Sequence, residues 1–155
     1  MNEIEELCGN KKITDTDGVV KSFYKAFYNE KTGLFCDSES KTHSAVHSNI
    51  FPLLFGLYGK DEELKNRLVK IIYDKKLNSM GVYMAYFALA ALVKNGEKDK
   101  ALELTLDKNA WLNMIKEGAT TTFEAWSKEQ KWNTSLFHPW AVAPLIIFNG
   151  EKEIY

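Results

Sequence analysis

One acid, one histidine and two tryptophans fall close together late in the chain. Glu124 sits in Gly118-Ala119-Thr120-Thr121-Thr122-Phe123-Glu124-Ala125-Trp126, and His138 and Trp140 follow in Thr134-Ser135-Leu136-Phe137-His138-Pro139-Trp140. Thr120 to Thr122 are poor helix formers and Gly118 ends the apolar segment before them, so Glu124 is expected on a connection between helices. Phe123 and Trp126 beside it predict a partly desolvated carboxylate whose pKa rises toward a value useful for proton transfer. Aromatic faces next to a carboxylate suit a sugar ring, whose CH groups stack on indole while the acid addresses hydroxyls or water. A buried aromatic corner with a hydrogen-bonded Glu accounts for the same residue types equally well.

Two other groups of residues have types that could do chemistry. His43 and His47 are four apart, so a helix would put both on one face near Asp37 and Glu39. No Glu lies between them as in a metalloprotease motif, and the pair reads better as polar residues at the mouth of a site, with His47-Ser48-Asn49 touching sugar or capping a helix. No metal and no cofactor are expected. Cys8 and Cys36 form no Cys-x-x-Cys pattern and read as free thiols. No Gly-x-Ser-x-Gly elbow, phosphate loop or dinucleotide fingerprint occurs.

The elements that must position these residues are helices. Apolar spacing predicts helices over 18–30, 43–58, 61–76, 82–93, 98–107, 110–115 and 135–148, with no convincing strand. Asp15 to Gly18 and Asp61 supply caps, Thr32-Gly33 and 78–81 turns, and Asn95-Gly96 a stop. Pro52 and Pro144 predict kinks or true starts. Residues 82–93 are apolar almost throughout and too Ala-rich for a strand, so they read as a helix buried on most sides. Tyr83, Tyr86 and Trp111 read as core or pocket wall. Residues 1–16 are polar and mixed. The helices group into pairs over about 18–58, 60–95 and 98–148, a spacing typical of helical-hairpin arrays. Gly33, Gly81 and Gly118 each lie shortly before an inner, more apolar helix or its leading loop. The expectation is a single all-α domain over 1–155: antiparallel helical hairpins forming about half of a toroid, with 82–93 and 136–148 on the concave side.

Composition excludes several classes. A 45% apolar and 26% charged chain is globular rather than disordered. Twenty basic against 21 acidic residues argue against nucleic acid or an acidic membrane as partner. No apolar run reaches the roughly 18 residues of a membrane span. The lack of an apolar leader at Met1 favours the cytoplasm for the chain as given and leaves export of a longer precursor open.

Taken in order, Ala26-Phe27-Tyr28, Thr32-Gly33-Leu34-Phe35, His43-Ser44-Ala45-Val46-His47-Ser48-Asn49, Trp111-Leu112-Asn113-Met114, the Glu124 stretch, Ser135-Leu136-Phe137-His138-Pro139-Trp140 and Ala143-Pro144 resemble the C-terminal part of the catalytic domain of bacterial α-L-rhamnosidases. The resemblance runs from about residue 20 to 149. It implies an (α/α)6 toroid of six hairpins that hydrolyses terminal α-L-rhamnose with inversion. By resemblance Glu124 matches the general base and His138 a sugar-contacting histidine. Trp126 and Trp140 match aromatic wall positions, and no cofactor is implied. The family's general acid lies on hairpins that precede the matching region. An inverting hydrolase needs two carboxylates roughly 6.5–9.5 Å apart, and the sequence offers a match for one. The chain is therefore expected to be a partial toroid, a catalytic-domain segment or else a non-catalytic helical module that binds carbohydrate or a protein. Half a toroid would expose the flank carrying 82–93, Phe51, Leu54 and Phe55, which suggests a homodimer.

Overall fold

A computed structural model describes residues 2–149 as an all-α array of packed helical hairpins. The helices are α1 Asn2–Leu7, α2 Thr16–Phe27, α3 Val46–Leu54, α4 Glu62–Lys75, α5 Val82–Lys94, α6 Lys98–Thr105, α7 Trp111–Lys116 and α8 Ala143–Asn149. Between α2 and α3 a two-residue antiparallel hairpin, β1 Tyr28–Asn29 with β2 Leu34–Phe35, pairs Tyr28 with Phe35. It turns through Gly33, whose φ of +66° favours glycine and whose added Cβ would lie 2.8 Å from Arg67 Nε. This hairpin and α1 are departures from the sequence reading. Two-residue strands are too short to leave an alternating pattern, and α1 is a short polar helix without an apolar stripe.

α5 organises the molecule. Val82, Ala85, Ala88, Leu89, Ala90, Ala91 and Leu92 are buried, and the small alanines let α3, α6 and α8 pack closely around it. α3 also packs on α4, whose first turn is capped by Asp61 accepting from the Leu64 N–H. Asn95 clasps the base of the array: its Nδ2 donates to the carbonyls of Leu53 (3.1 Å) and Ala91 (2.8 Å), while its Oδ1 accepts from Tyr58. Pro52 lies inside α3 and removes the bond its N–H would give the Ser48 carbonyl; the helix ends two residues later, at Leu54. The apolar flank expected to be exposed is smaller than the sequence predicts. Leu54 is buried, as is most of α5, and Phe55 remains exposed.

The histidine segment builds structure before anything else. α3 begins at Val46, so His43 precedes the helix and does not share a face with His47, as the sequence suggested. His43 pairs with Asp37, and the same carboxylate accepts the Ala45 N–H (2.7 Å) and the Ser48 hydroxyl (2.9 Å). Those bonds hold the Asp37 carboxyl below its usual pKa, the Ala45 N–H contributing most. Asn49, fully buried, accepts the Phe35 N–H (2.9 Å) and donates to the Phe35 carbonyl (3.1 Å), stitching β2 to α3. Asn49→Ala would strand both backbone groups, so a loss of about 2–4 kcal/mol is expected in urea unfolding. A loss below about 0.5 kcal/mol would show that the stitch is dispensable.

Candidate functional site

The loop that carries Glu124 starts from a tight helix stop. At the end of α7 the Gly118 N–H donates to Ile115 O and the Ala119 N–H to Met114 O, both 2.9 Å, and Gly118 takes φ +80°. This is the double bond pattern of a glycine C-cap, and it releases the chain into 119–138 with no regular structure. The apolar spacing predicts a helix from 135. Instead 134–138 is irregular, Pro139–Ala141 forms one 3-10 turn, and α8 starts at Ala143. Pro139 and Pro144 each sit where a missing N–H costs nothing, in a first turn.

Two irregular segments are fastened side by side. The His138 N–H donates to Thr122 O (2.8 Å) and the Thr122 hydroxyl returns a bond to His138 O (2.6 Å). The Glu124 N–H donates to Ser135 O (2.9 Å), and the Ser135 N–H donates to Glu124 Oε2 (3.1 Å). Glu124 and His138, 14 positions apart in the chain, are thereby set on adjacent backbones.

Two indoles anchor this pair to the core. Trp126 Nε1 donates to Met80 O and Trp111 Nε1 to Ala141 O, each at 2.6 Å, and the two rings meet edge to face with centroids 4.9 Å apart. Trp126 is 4% exposed. Its N–H and its ring are taken up inside the protein, so it stands in the core behind the loop rather than as an open aromatic wall. Asn113 Nδ2 donates to Trp126 O (2.8 Å) and Gln130 Oε1 accepts the Trp126 N–H (2.7 Å), which fixes the next bend.

The electrostatics also differ from expectation. Phe123 and Trp126 are buried, but the Glu124 carboxylate turns away from them toward Lys131 and Ser135. Its pKa is lowered, first by the Lys131 ammonium, then by the Ser135 N–H, against a smaller opposing effect of desolvation; the His138 charge adds to the lowering. Glu124 is therefore held ionised further into acid than a free glutamate. With the folded pKa below the unfolded one, this ion pair favours the fold above the ordinary glutamate pKa, and that contribution disappears as pH falls through the folded pKa. Lys131→Met is expected to raise the Glu124 pKa, read by carbon NMR titration of the side-chain carboxyl. An unchanged midpoint would show that the ammonium does not act on it.

His138 links the loop pair to α5. Its Nε2 lies 2.5 Å from the Tyr83 hydroxyl, the two rings crossing at 82° with centroids 5.3 Å apart, and Trp140 lies 6.2 Å beyond Tyr83. Trp140 is 73% exposed, an aromatic face open to solvent. A cavity of about 400 Å³ opens beside it, between α5 and α8. His47 is exposed on the first turn of α3 and does not line this cavity. The structure thus brings Glu124, His138 and Trp140 into one neighbourhood, withdraws Trp126 into the core, and leaves His47 on α3. Lys131 and Tyr83 join the site as residues the sequence reading did not assign to it. Lys131 carried no signal, since loop spacing fixes no geometry, while Tyr83 was indistinguishable from core. Among the described residues no group of three or more His, Cys, Asp and Glu side chains could hold a metal ion.

The model of the bacterial alpha-L-rhamnosidase 6 hairpin glycosidase domain matches residues 13–148, from just before the Asp15 cap to the end of the apolar face of α8. A comparison with curated proteins finds no match.

Proposed function

We propose that this chain, which belongs to the bacterial alpha-L-rhamnosidase six-hairpin glycosidase family, binds a terminal α-L-rhamnosyl group beside the 122–124 and 135–138 segments and hydrolyses it with inversion. Glu124 is the general base. It takes a proton from water as the water oxygen bonds to the anomeric carbon and the bond to the leaving group breaks from the opposite face. His138, whose Nε2 pairs with the Tyr83 hydroxyl, contacts a sugar hydroxyl. Trp140 stacks on the ring and Trp126 positions the loop from behind. The observation that carries this reading is the double fastening of Glu124 and His138, which holds an ionised carboxylate and a hydrogen-bonding imidazole on adjacent backbones. Such pre-set geometry is what general-base catalysis needs.

No segment of the chain matches the family's general acid. An aryl glycoside such as 4-nitrophenyl α-L-rhamnoside bypasses that need, since nitrophenolate leaves without a proton. Turnover of this substrate, with the inverted anomer of rhamnose appearing first by proton NMR, supports the hydrolase reading. The engagement of Glu124 by Lys131 favours a second reading, a carbohydrate-binding module, which predicts saturable rhamnose binding without turnover. Neither binding nor turnover removes both.

The proposal includes pairing of two copies through the flank where Phe55, 64% exposed, stacks on Phe51. Light scattering at micromolar concentration is expected to give about twice the chain mass of 17.7 kDa. A mass that stays at the single-chain value on dilution removes the dimer and leaves the site reading untouched.

A further inference from the structure

The two oxygens of the Glu124 carboxylate are held in different ways. Oε2 accepts the Ser135 N–H (3.1 Å), and that N–H belongs to a backbone fastened by the Glu124 N–H to Ser135 O bond and by the bonds between Thr122 and His138. Oε1 pairs with the Lys131 ammonium. Lys131 brings no comparable support. Its side chain is 40% exposed and that of Glu124 23%. Among the described residues its ammonium has no other ion-pair partner. The charge ends a flexible four-carbon stem. The Lys131 carbonyl accepts both the Thr134 N–H (3.2 Å) and the Thr134 hydroxyl (2.9 Å). The turn is thus closed by its own bonds, and the side chain can leave Glu124 without opening it. An ion pair that meets solvent contributes little net stability, because water competes for both charges.

The water that a general base activates must donate to one of the same two oxygens. Oε2 is tied to the backbone that orients the carboxylate. That leaves Oε1 as the oxygen free to work, and Lys131 stands on it. We propose that Lys131 is a displaceable cap on the Glu124 base, which holds Oε1 in the empty site and gives it up when a rhamnosyl group binds. This reading rests on the proposed sugar site and adds its regulation. The exchange conserves bonds: the ammonium regains water, and the sugar with its attacking water supplies O–H donors to Oε1. Orientation is kept, because Ser135 still holds Oε2. Basicity is what changes, since a carboxylate that loses a cationic partner binds a proton more readily. In the free chain the Lys131 ammonium lowers the Glu124 pKa most, followed by the Ser135 N–H, with a smaller contribution from the His138 charge. The remaining charges near the loop keep their own partners. His138 is bonded to Tyr83 (2.5 Å), the Lys128 ammonium donates to Glu117 O (2.7 Å), and the Glu117 carboxylate accepts from Asn113 and the Lys128 N–H, both at 2.8 Å. Departure of Lys131 therefore makes Glu124 a stronger base only when substrate is present.

Carbon NMR titration of the Glu124 side-chain carboxyl, assigned with Glu124→Gln, tests this in the free chain and in the chain saturated with methyl α-L-rhamnoside. Amide shifts report binding independently. The wild-type midpoint is expected to move to higher pH in the complex. In Lys131→Met the free midpoint already lies higher, and the ligand moves it less, because only desolvation by the sugar is left to act. Rates carry the same signature. The acid limb of kcat, which reports the bound state, should lie at higher pH than that of kcat/KM, which reports the free chain, and Lys131→Met should narrow the gap. Binding with no midpoint shift in the wild-type chain, or with equal shifts in both chains, overturns the cap and leaves the sugar site standing. A purely structural Lys131 gives that second result together with a lower melting temperature. Absence of any amide shift on adding the ligand removes the sugar site and the cap together.

Discussion

Glu124→Gln is expected to lower turnover of 4-nitrophenyl α-L-rhamnoside by about 10²–10⁴-fold, the usual contribution of a general base, while leaving KM nearly unchanged. The amide keeps the size of the carboxylate and its carbonyl oxygen can still accept the Ser135 N–H, which bonds Glu124 Oε2 at 3.1 Å. The loop pair therefore survives, since its other bonds are backbone bonds or come from Thr122. What disappears is the capacity to take a proton, and the charge that holds Lys131. Circular dichroism and melting temperature should barely move. A rate within about threefold of wild type would contradict the assignment, whereas loss of structure along with activity would show that Glu124 serves the fold. The acid limb of the wild-type rate should lie below the ordinary glutamate range, because Lys131 and the Ser135 N–H stabilise the ionised form.

The two indoles near the site should part company on mutation. Trp126→Ala is expected to cost about 3–5 kcal/mol, the usual loss for a buried large aromatic, and to leave Met80 O without its 2.6 Å donor. For a chain of this size that amounts to a fall in melting temperature of roughly 10 °C. Activity would fall with it through misplacement of Glu124, two residues away on the same loop. Trp140→Ala, at a 73% exposed position, should change stability by less than about 0.5 kcal/mol and yet weaken ligand binding. Differential scanning fluorimetry beside calorimetric binding separates the two. Equal melting temperatures for both variants would sink this division of roles.

That division also marks how far the residues could be read without coordinates. The helices from Thr16 to Thr105 were legible from their apolar spacing, and Asp15, Asp61 and Asn95 marked the start of α2, the start of α4 and the end of α5. The irregular stretch around Glu124 was legible as a loop from its threonines and Gly118. What lay inside it was not. Trp126 and Trp140 look alike in a sequence, and only the Met80 carbonyl waiting near one of them decides which is core. The expected rise in the Glu124 pKa failed for a related reason. Neighbours in sequence suggested desolvation, but an irregular chain turned the carboxylate toward Lys131, seven residues on. The polar run from His43 to Asn49 looked like a site mouth. Its hydrogen bonds go mainly to Asp37, Phe35 and Ala45, so much of its polarity is spent on joining β2 to α3.

The central claim is that the fastened pair of segments, 122–124 and 135–138, is where a rhamnosyl group binds. Backbone amide NMR with stepwise addition of methyl α-L-rhamnoside tests it most directly. Saturable shifts concentrated at Thr122 to Trp126, Ser135 to Trp140 and Tyr83, with the Lys131 loop responding, are the predicted result. Saturating shifts confined to other surfaces, or none at millimolar ligand, would contradict it.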